Sequence, residues 1–412
     1  MKSFIRSVFI IAIGILLTQC KKEPDHAGIT DNVFLTKLLN LGIDINGDGL
    51  IELDEAEKVT SLNLRKVFDG DDPITNLDGI EAFINLRELD CYDNQITYLD
   101  FSKNDSLSHL NCSRNNLNEL IVSNNTKLIE LYCYGNKLSS LNVTNNPLLE
   151  TLECRENKIT ELDLSKNTRL SYLVCNTNQL TNLDLSNNPN MVSVRCMFNK
   201  LTNLNISGCT SLMELWCYAN QLTNLDLSTN SNLYYIHCTD NPLTSLDFTN
   251  NTSMKYFYCE SASLTHIDLS NCKLLEKLIC RNNNLTTLDI SNNTELTDIS
   301  CDYNSLTNLD VSNNIKLEYL NCSRNNITNL DVSQNTLLRM LYCGKNLITT
   351  LDISKNPMLN SSPSQSITAL DISEMPSLQQ VCVSGLPYPP PGFSLNTNGS
   401  PNVVFTDDCS TF

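Results

Sequence analysis

A twelve-residue stretch near the N-terminus carries oxygen-bearing residues at the spacing that a calcium ion requires. The stretch runs D-I-N-G-D-G-L-I-E-L-D-E over residues 44–55. Calcium takes roughly six to eight oxygen ligands, which side chains and one backbone carbonyl can supply from a loop of this length. We predict that a Ca²⁺ ion binds to Asp44, Asn46, Asp48, Leu50, Glu52 and Glu55. The alternative is a turn rich in Gly and Asp that binds no ion.

This stretch resembles an EF-hand loop, in which Gly49 permits the sharp turn and Ile51 points into the local core. The apolar pattern predicts a helix before it, from Asn32 to Leu41, and a short helix after it, from Leu53 to Val59. EF-hands that act as switches usually come in pairs. We therefore expect this single loop to be part of a structural N-terminal cap, residues 31–60, and not a sensor.

Thirteen cysteines follow at one constant interval, from Cys91 and Cys112 to Cys343. Around each of them the sequence approximates L-x-x-L-x-C-x-x-N-x-L-T-x-L-D-L-S-x-N. A strict period indicates a solenoid of stacked units, and the alternation in L-x-C and L-D-L is that of a β-strand. We predict a solenoid of mostly parallel β coils over residues 61–380, with about 14 coils.

Polar residues recur at three positions of the repeat. Asn stands three residues after the cysteine in twelve of thirteen coils, with Ala262 as the exception, and again thirteen residues after it in eleven. Asn amides bond nearby backbone groups, so we expect the stacked Asn residues to satisfy backbone that faces inward. Asp stands nine residues after the cysteine in ten coils. We interpret these carboxylates as turn caps, and a cation-binding stack is the alternative.

With this pattern the chain resembles leucine-rich repeat proteins, and specifically the nested 21-residue bacterial class called IRREKO repeats. The match extends from Leu86 to about Leu378. The resemblance implies a right-handed parallel coil, with the L-x-C strands along one face and the L-D-L segments along the other. It implies no particular ligand, because one fold serves many binding roles.

The N-terminus carries targeting features. Lys2 and Arg6 precede an apolar run that is too short for a permanent membrane helix, which predicts a signal peptide over residues 1–19. The run ends in L-T-Q-C, which resembles the lipobox of bacterial lipoproteins, although Gln19 departs from the usual small residue. We predict that Cys20 is lipidated, that residues 20–30 contain a tether, and that the lipid anchors the protein to the bacterial outer membrane, on its periplasmic or outer surface.

The ladder cysteines are predicted to be buried free thiols. A buried thiol behaves as a small hydrophobic group, and parallel side chains fit the disulfide dihedral poorly. A metal site would need clustered ligands, which the wide and constant spacing does not provide. Cys382 and Cys409 differ because they lie beyond the regular repeats and flank a proline-rich segment. We predict that they form a disulfide that closes a C-terminal cap, residues 381–412.

Aromatic residues concentrate beside the ladder cysteines. Positions three and one before each cysteine and one after it point outward by strand alternation, and they hold ten of the 14 tyrosines and the only tryptophan. Tyr and Trp are common in binding hot spots, but strands also favour Tyr by propensity alone. The predicted ligand-binding face comprises Tyr132, Tyr134, Trp216, Tyr218, Tyr235, His237, Tyr256 and Tyr258.

Charge and motifs narrow the function. A net charge of −18 argues against nucleic-acid binding. The chain has four histidines and no phosphate-binding loop or hydrolase motif, so we expect no enzyme activity. Three hypotheses remain: a non-enzymatic module that binds or adheres to a protein, a glycan-binding accessory protein that uses the same aromatic face, and a passive envelope spacer.

Overall fold

A computed structural model describes residues 26–66, 72–361, 368–390 and 392–410. Its main element is a 16-stranded parallel sheet in which each strand pairs with its counterpart in the next coil. The predicted leucine-rich repeat solenoid is confirmed, since 13 of these strands recur at the interval of the ladder cysteines. The strands are Ser61–Asn63, Glu88–Asp90, His109–Asn111, Glu130–Tyr132, Thr151–Glu153, Tyr172–Val174, Ser193–Arg195, Glu214–Trp216, Tyr235–His237, Tyr256–Tyr258, Lys277–Ile279, Asp298–Ser300, Tyr319–Asn321, Met340–Tyr342, Leu370–Asp371 and Leu395–Asn396.

The sheet extends beyond the roughly 14 predicted coils. Ser61–Asn63 adds a strand at the N-terminal end, and Leu370–Asp371 and Leu395–Asn396 add two at the other end. These strands are joined by coils longer than the regular repeat, because Leu62 pairs with Leu89, Leu341 with Leu370, and Leu370 with Leu395. The period in the sequence therefore marks only the uniform middle of the solenoid.

Each strand is short because the chain turns sharply after the ladder cysteine. The residue two positions after that cysteine adopts a left-handed conformation in every regular coil, with φ of 54° at Ala219 and 53° at Asp240, for example. This conformation costs a non-glycine residue about 1–2 kcal/mol. It directs the following Asn side chain into the solenoid, where hydrogen bonds to the backbone hold the turn.

Shorter parallel ladders form from the L-D-L segments. They pair Tyr98–Asp100 with Glu119–Ile121 and Asn182–Asp184 with Asn203–Asn205. At the C-terminal end, Thr350–Asp352 pairs with Gln380–Cys382, which lies beyond the regular repeats and pairs in turn with Val404–Thr406. Each repeated Asp from Asp226 to Asp352 accepts a hydrogen bond at Oδ1 from the backbone N–H two residues later, at 2.8–3.0 Å. These contacts agree with the interpretation of the carboxylates as turn caps.

The core consists of stacked Leu, Ile and Val side chains with the cysteine ladder among them. All thirteen ladder cysteines are buried free thiols, as predicted, and so are Cys209 and Cys272. Burial raises the pKa of the Cys112 and Cys154 thiols to about 12. The thiols are therefore protonated at neutral pH and act as apolar packing groups.

Two short helices form the N-terminal cap. Helix α1 spans Asn32–Asn40 and helix α2 spans Leu53–Ala56. Asp31 caps α1 with Oδ1 and accepts bonds from the backbone and hydroxyl of Thr75 with Oδ2, at 2.8 and 2.7 Å. Helix α2 ends three residues before the predicted Val59, because the chain must extend into the strand Ser61–Asn63. Two 3₁₀ segments, Ile80–Ala82 and Pro357–Ser361, lie within coils.

The C-terminal segment continues the stack. Leu395–Asn396 joins the long sheet and Val404–Thr406 joins the second face. Cys382 and Cys409 form a disulfide, with their Cα atoms 5.6 Å apart. In the described part of the chain, no helix has the length and apolar character needed to cross a membrane.

Candidate functional site

The predicted calcium loop turns its acidic side chains inward from both ends. Asp44 accepts hydrogen bonds from the backbone N–H groups of Gly47 and Gly49, at 2.6 and 2.9 Å. Glu55 accepts bonds from the N–H groups of Ile45 and Glu52, at 2.7 and 3.1 Å. Gly47 and Gly49 have φ of 78° and 85°, which side chains other than Asn and Asp seldom adopt. The first and last predicted ligands are thus positioned by the backbone of the loop itself.

The oxygen atoms of this loop fit a hard cation. Glu52 Oε2 is buried and, within the described residues, has no hydrogen-bond partner. Hydrogen bonding between the two carboxyl groups raises the pKa of Glu52 and lowers that of Glu55. Two carboxyl groups in one loop, one of them with an unpartnered oxygen, are donors that suit Ca²⁺, and a bound ion would relieve their mutual repulsion.

The edge of the loop is covered by the chain itself. The Ala27 N–H donates to the Ile51 carbonyl at 2.7 Å, and His26 forms an isolated antiparallel bridge with Glu52. Ile51 is buried, as the EF-hand resemblance implies. The end of the predicted tether segment, residues 26 and 27, is therefore paired with the loop.

The aromatic cluster comprises Trp216, Tyr218, Tyr235, His237, Tyr256 and Tyr258 on three consecutive coils. Trp216 stacks on Tyr235, and Tyr218 stacks on His237, each with ring centroids 4.4 Å apart. Tyr258 lies 5.5 Å from Tyr235 and 5.3 Å from His237. The tertiary structure therefore joins these side chains into one contiguous group.

The rings of this cluster are half-buried, whereas strand alternation alone predicts that they point freely outward. Neighbouring rings cover one another, so that Trp216 Nε1 and His237 Nδ1 are buried without a hydrogen-bond partner in the described chain. Burial lowers the pKa of His237 and raises that of Tyr235. The Tyr256 hydroxyl instead reaches Glu276 Oε2 at 2.7 Å.

Tyr132 and Tyr134 do not join the aromatic cluster. Tyr134 lies 6.2 Å from Tyr92, and the Arg155 guanidinium lies 4.1 Å from its ring centroid. Tyr132 donates its hydroxyl to Glu130. These residues form a separate group about four coils from Trp216, because each coil advances the solenoid by one strand spacing.

Three residues beside the cluster were not among the predicted site residues, and two of them lie outside the outward positions of the strands. Phe198 lies 5.1 Å from Tyr218 and is 54% exposed, although its position two residues after the cysteine belongs to the left-handed turn. Tyr234, four residues before a cysteine, lies 6.5 Å from Tyr256. The Arg195 guanidinium lies 5.6 Å from the Trp216 ring. Arg195 occupies one of the outward positions, at the same point of the repeat as Trp216 in the next coil. This shared position is the sequence feature that could have identified Arg195 as a neighbour of the only Trp.

Solved structures with the same architecture support a family assignment. The functional domain of InlJ from Listeria monocytogenes, which includes a cysteine ladder, is 33% identical, with 81% of this chain and 76% of that one covered at a TM-score of 0.63. The chain belongs to the bacterial leucine-rich repeat proteins. This leucine-rich repeat protein also matches LIC12759 from Leptospira interrogans, with 20% identity, 85% and 93% coverage and a TM-score of 0.64.

An internalin, InlF of Listeria monocytogenes, is a third structural neighbour. It is 18% identical, with 92% of this chain and 95% of that one covered at a TM-score of 0.51, and shows a shared fold. No protein-family profile and no curated protein sequence matches the chain. The family assignment therefore rests on the InlJ domain, and it establishes a repeat scaffold suited to protein interaction.

Proposed function

We propose that this protein is a lipid-anchored module of the bacterial outer membrane that binds a protein partner through the aromatic cluster. The observation that carries this proposal is the contiguity of six aromatic and imidazole rings over three coils. Large, preorganised aromatic groups lose little conformational entropy on binding and dominate interface hot spots. The InlJ-like scaffold supports a non-enzymatic interaction role of this kind.

A protein partner fits the cluster better than a glycan does. A sugar stacks on an open ring face, whereas Trp216 and Tyr235 cover one another at 4.4 Å and 25° between ring planes. The cluster instead offers ring edges and tyrosine hydroxyls as a nearly continuous surface. Such a surface suits the side chains and backbone groups of a polypeptide.

The binding proposal can be tested on an array of purified proteins and glycans probed with the full chain. We expect a protein ligand, and we expect Trp216→Ala to weaken it by about 2 kcal/mol or more, which is roughly 30-fold. The matched control is Tyr319→Ala, on the same face but outside the cluster. Because Trp216 packs on Tyr235, we also expect Trp216→Ala to lower the free energy of unfolding by about 1 kcal/mol.

Unchanged binding by Trp216→Ala, together with early melting, would contradict the proposal. The rings would then serve only to stabilise the sheet, and the spacer hypothesis would gain support. A ligand found only among the glycans would favour the accessory-protein alternative.

We propose that the loop of residues 44–55 binds Ca²⁺ and orders the N-terminal cap. Glu55→Gln removes one anionic oxygen from a buried position, so it should weaken calcium binding measured by calorimetry. Calcium should slow hydrogen exchange in α1 and in the strand Ser61–Asn63 of the wild-type protein and of the Glu57→Gln control, but not in Glu55→Gln. The exposed neighbour Glu57→Gln is the control, and identical exchange with calcium and with chelator in the wild type would refute the proposal.

The anchor is a separate proposal, because Cys20 and residues 1–19 lie outside the described residues. It is supported by the lipobox-like sequence L-T-Q-C. Cys20→Ser should abolish incorporation of a labelled fatty acid and release the protein from the membrane fraction. Label retained by Cys20→Ser would place the lipid elsewhere.

A further inference from the structure

A groove runs along the face of the long sheet on the N-terminal side of the aromatic cluster. One part, of about 470 Å³, is lined by residues of the first four strands, including Glu88, His109 and Glu130. The next part, of about 560 Å³, is lined by residues that include Tyr172 and Met213. Tyr132 lines both parts, so they adjoin at this side chain and follow one another along the sheet.

The side chains along the sheet explain why the groove exists and where it stops. Thr151 and Ser193 occupy the positions three residues before their ladder cysteines, where the other coils carry the larger residues Tyr, Glu, His, Lys, Asp or Met, and their short side chains leave space. At the far end, Trp216 stacks on Tyr235 of the next strand. This stack bridges the two columns of side chains between which the groove runs, and so closes it.

The second part of the groove exposes apolar surface. Tyr172 is 50% exposed and Met213 is 45% exposed, and both line its walls. Large apolar groups that converge on a concave surface, instead of being scattered singly, are typical of interaction sites. This half of the groove is therefore suited to apolar side chains.

The first part of the groove carries negative charge that the described residues do not neutralise. In the described residues the Glu88 and Glu130 carboxylates accept hydrogen bonds from the hydroxyls of Ser61 and Tyr132, at 3.2 Å each, and form no ion pair. Asp90 lies 3.5 Å from the Arg65 guanidinium. A lysine or arginine side chain would complement the two unpaired carboxylates.

The length of the groove limits its occupant. The strands from Ser61–Asn63 to Glu214–Trp216 are separated by seven spacings of about 4.8 Å, or roughly 34 Å in all. An extended polypeptide advances about 3.3 Å per residue, so roughly ten residues fill this distance. A folded helix of about 10–12 Å diameter would not enter a groove only two side-chain columns wide.

We propose that the groove binds an extended polypeptide segment of about ten residues. A lysine or arginine of the segment contacts Glu88 and Glu130, and apolar side chains contact Tyr172 and Met213. This inference rests on the proposed protein-binding function and specifies the chemistry of the partner.

The test is selection of a phage-displayed random dodecapeptide library on the full chain. Enriched peptides should contain lysine or arginine together with apolar residues, and a synthetic copy should bind in solution. The double variant Glu88→Gln, Glu130→Gln should weaken binding of that copy about tenfold at about 50 mM NaCl and reduce its salt dependence. Glu119→Gln, an exposed carboxylate on the other face, is the matched charge control.

Thr151→Tyr tests the groove without removing charge. Tyr172 occupies the same position in the next coil, so the sheet accommodates a tyrosine there. The new ring should fill the groove and weaken peptide binding more than tenfold, while the melting temperature stays the same. Unchanged melting would show that lost binding comes from the blocked groove and not from misfolding.

Several results would overturn this inference. They are enrichment of no peptide, enrichment of peptides without cationic residues, or equal binding to wild type and Thr151→Tyr. A protein ligand that is lost with Trp216→Ala but unaffected by Thr151→Tyr would refute the groove and leave the proposed function standing. A protein ligand insensitive to both changes would contradict the proposed function as well.

Discussion

Asn220→Ala should open the solenoid locally, because this amide holds four backbone groups of two coils, of which the Tyr218 carbonyl is the most distant at 3.4 Å. Its Nδ2 donates to the carbonyls of Cys196 and Cys217, at 3.1 and 2.9 Å, and its Oδ1 accepts from the Leu201 N–H at 3.0 Å. The two carbonyls also accept bonds from the Asn residues of the neighbouring coils. Within the described structure, the Leu201 N–H has no second acceptor.

The expected cost of Asn220→Ala follows from the difference between the Leu201 N–H, which loses its acceptor, and the Cys196 and Cys217 carbonyls, which each keep a donor. A buried N–H without a partner costs about 1–3 kcal/mol, and each of the other lost bonds contributes less because its carbonyl keeps a donor. We therefore expect Asn220→Ala to destabilise its coil by about 2–3 kcal/mol. Hydrogen exchange of residues 196–222 is the suitable assay, since repeat proteins open locally and a single unfolding free energy averages over coils.

Asn230→Ala is the matched control from the second Asn ladder. The Asn230 Nδ2 donates to the carbonyls of Ile206 and Cys209, but both carbonyls also accept backbone N–H groups. Its buried Oδ1 has no partner in the described chain, so truncation removes an unsatisfied atom. We expect a cost of about 1 kcal/mol.

The comparison can refute the reasoning. If Asn230→Ala opens its coil as readily as Asn220→Ala, the hydrogen bond from the Leu201 N–H to Asn220 Oδ1 is not the contact that stabilises the turn. The chain itself contains one exception, since Ala262 lacks the amide and the Leu243 N–H donates instead to the Asn241 carbonyl at 2.8 Å. A cost below about 1 kcal/mol for Asn220→Ala would mean that its turn rearranges in the same way.

Three further predictions concern titration, capping and redox state. Because burial depresses the pKa of His237, with Asp240 opposing the shift, its neutral form contributes stability above pH about 6.5 that is lost as the pH falls toward the folded-state pKa. The exchange protection of residues 214–258, after correction for the intrinsic pH dependence of amide exchange, should fall between pH 7 and 5, and His237→Phe should flatten this dependence. Asp31→Ala should destabilise α1 by about 1–2 kcal/mol, because it removes the acceptor of the N-cap bonds and of the Thr75 bonds. The loss should be seen as faster exchange of residues 32–40 without change at mid-length. Ladder thiols should resist alkylation until denaturation, and intact mass should count two more reactive thiols after reduction, from Cys382 and Cys409; pairing among the ladder thiols would refute this.

The sequence was sufficient for the repetitive part of the structure. A strict period can be satisfied only if each coil stacks on an equivalent neighbour, so the positions of the buried Leu and Cys residues followed from the pattern alone. The burial of the Asn ladder followed for the same reason, because backbone turned away from water needs partners at every coil. The ends of the solenoid were less predictable. Leu341 pairs with Leu370 across a coil longer than the repeat, and the periodicity of the sequence does not predict this pairing.

The candidate sites divide in the same way. The turn of residues 44–55 was predictable because its conformation depends on residues within one short segment, whereas calcium binding there stays a prediction. The aromatic cluster was predictable as a set of outward positions, but ring contacts depend on side-chain rotations between coils. Only the tertiary structure showed that Trp216 and Tyr235 cover each other's faces and that Tyr132 lines the groove without contacting the cluster. The groove depends on short side chains at Thr151 and Ser193 lying between larger ones, and this shape exists only when the coils are stacked.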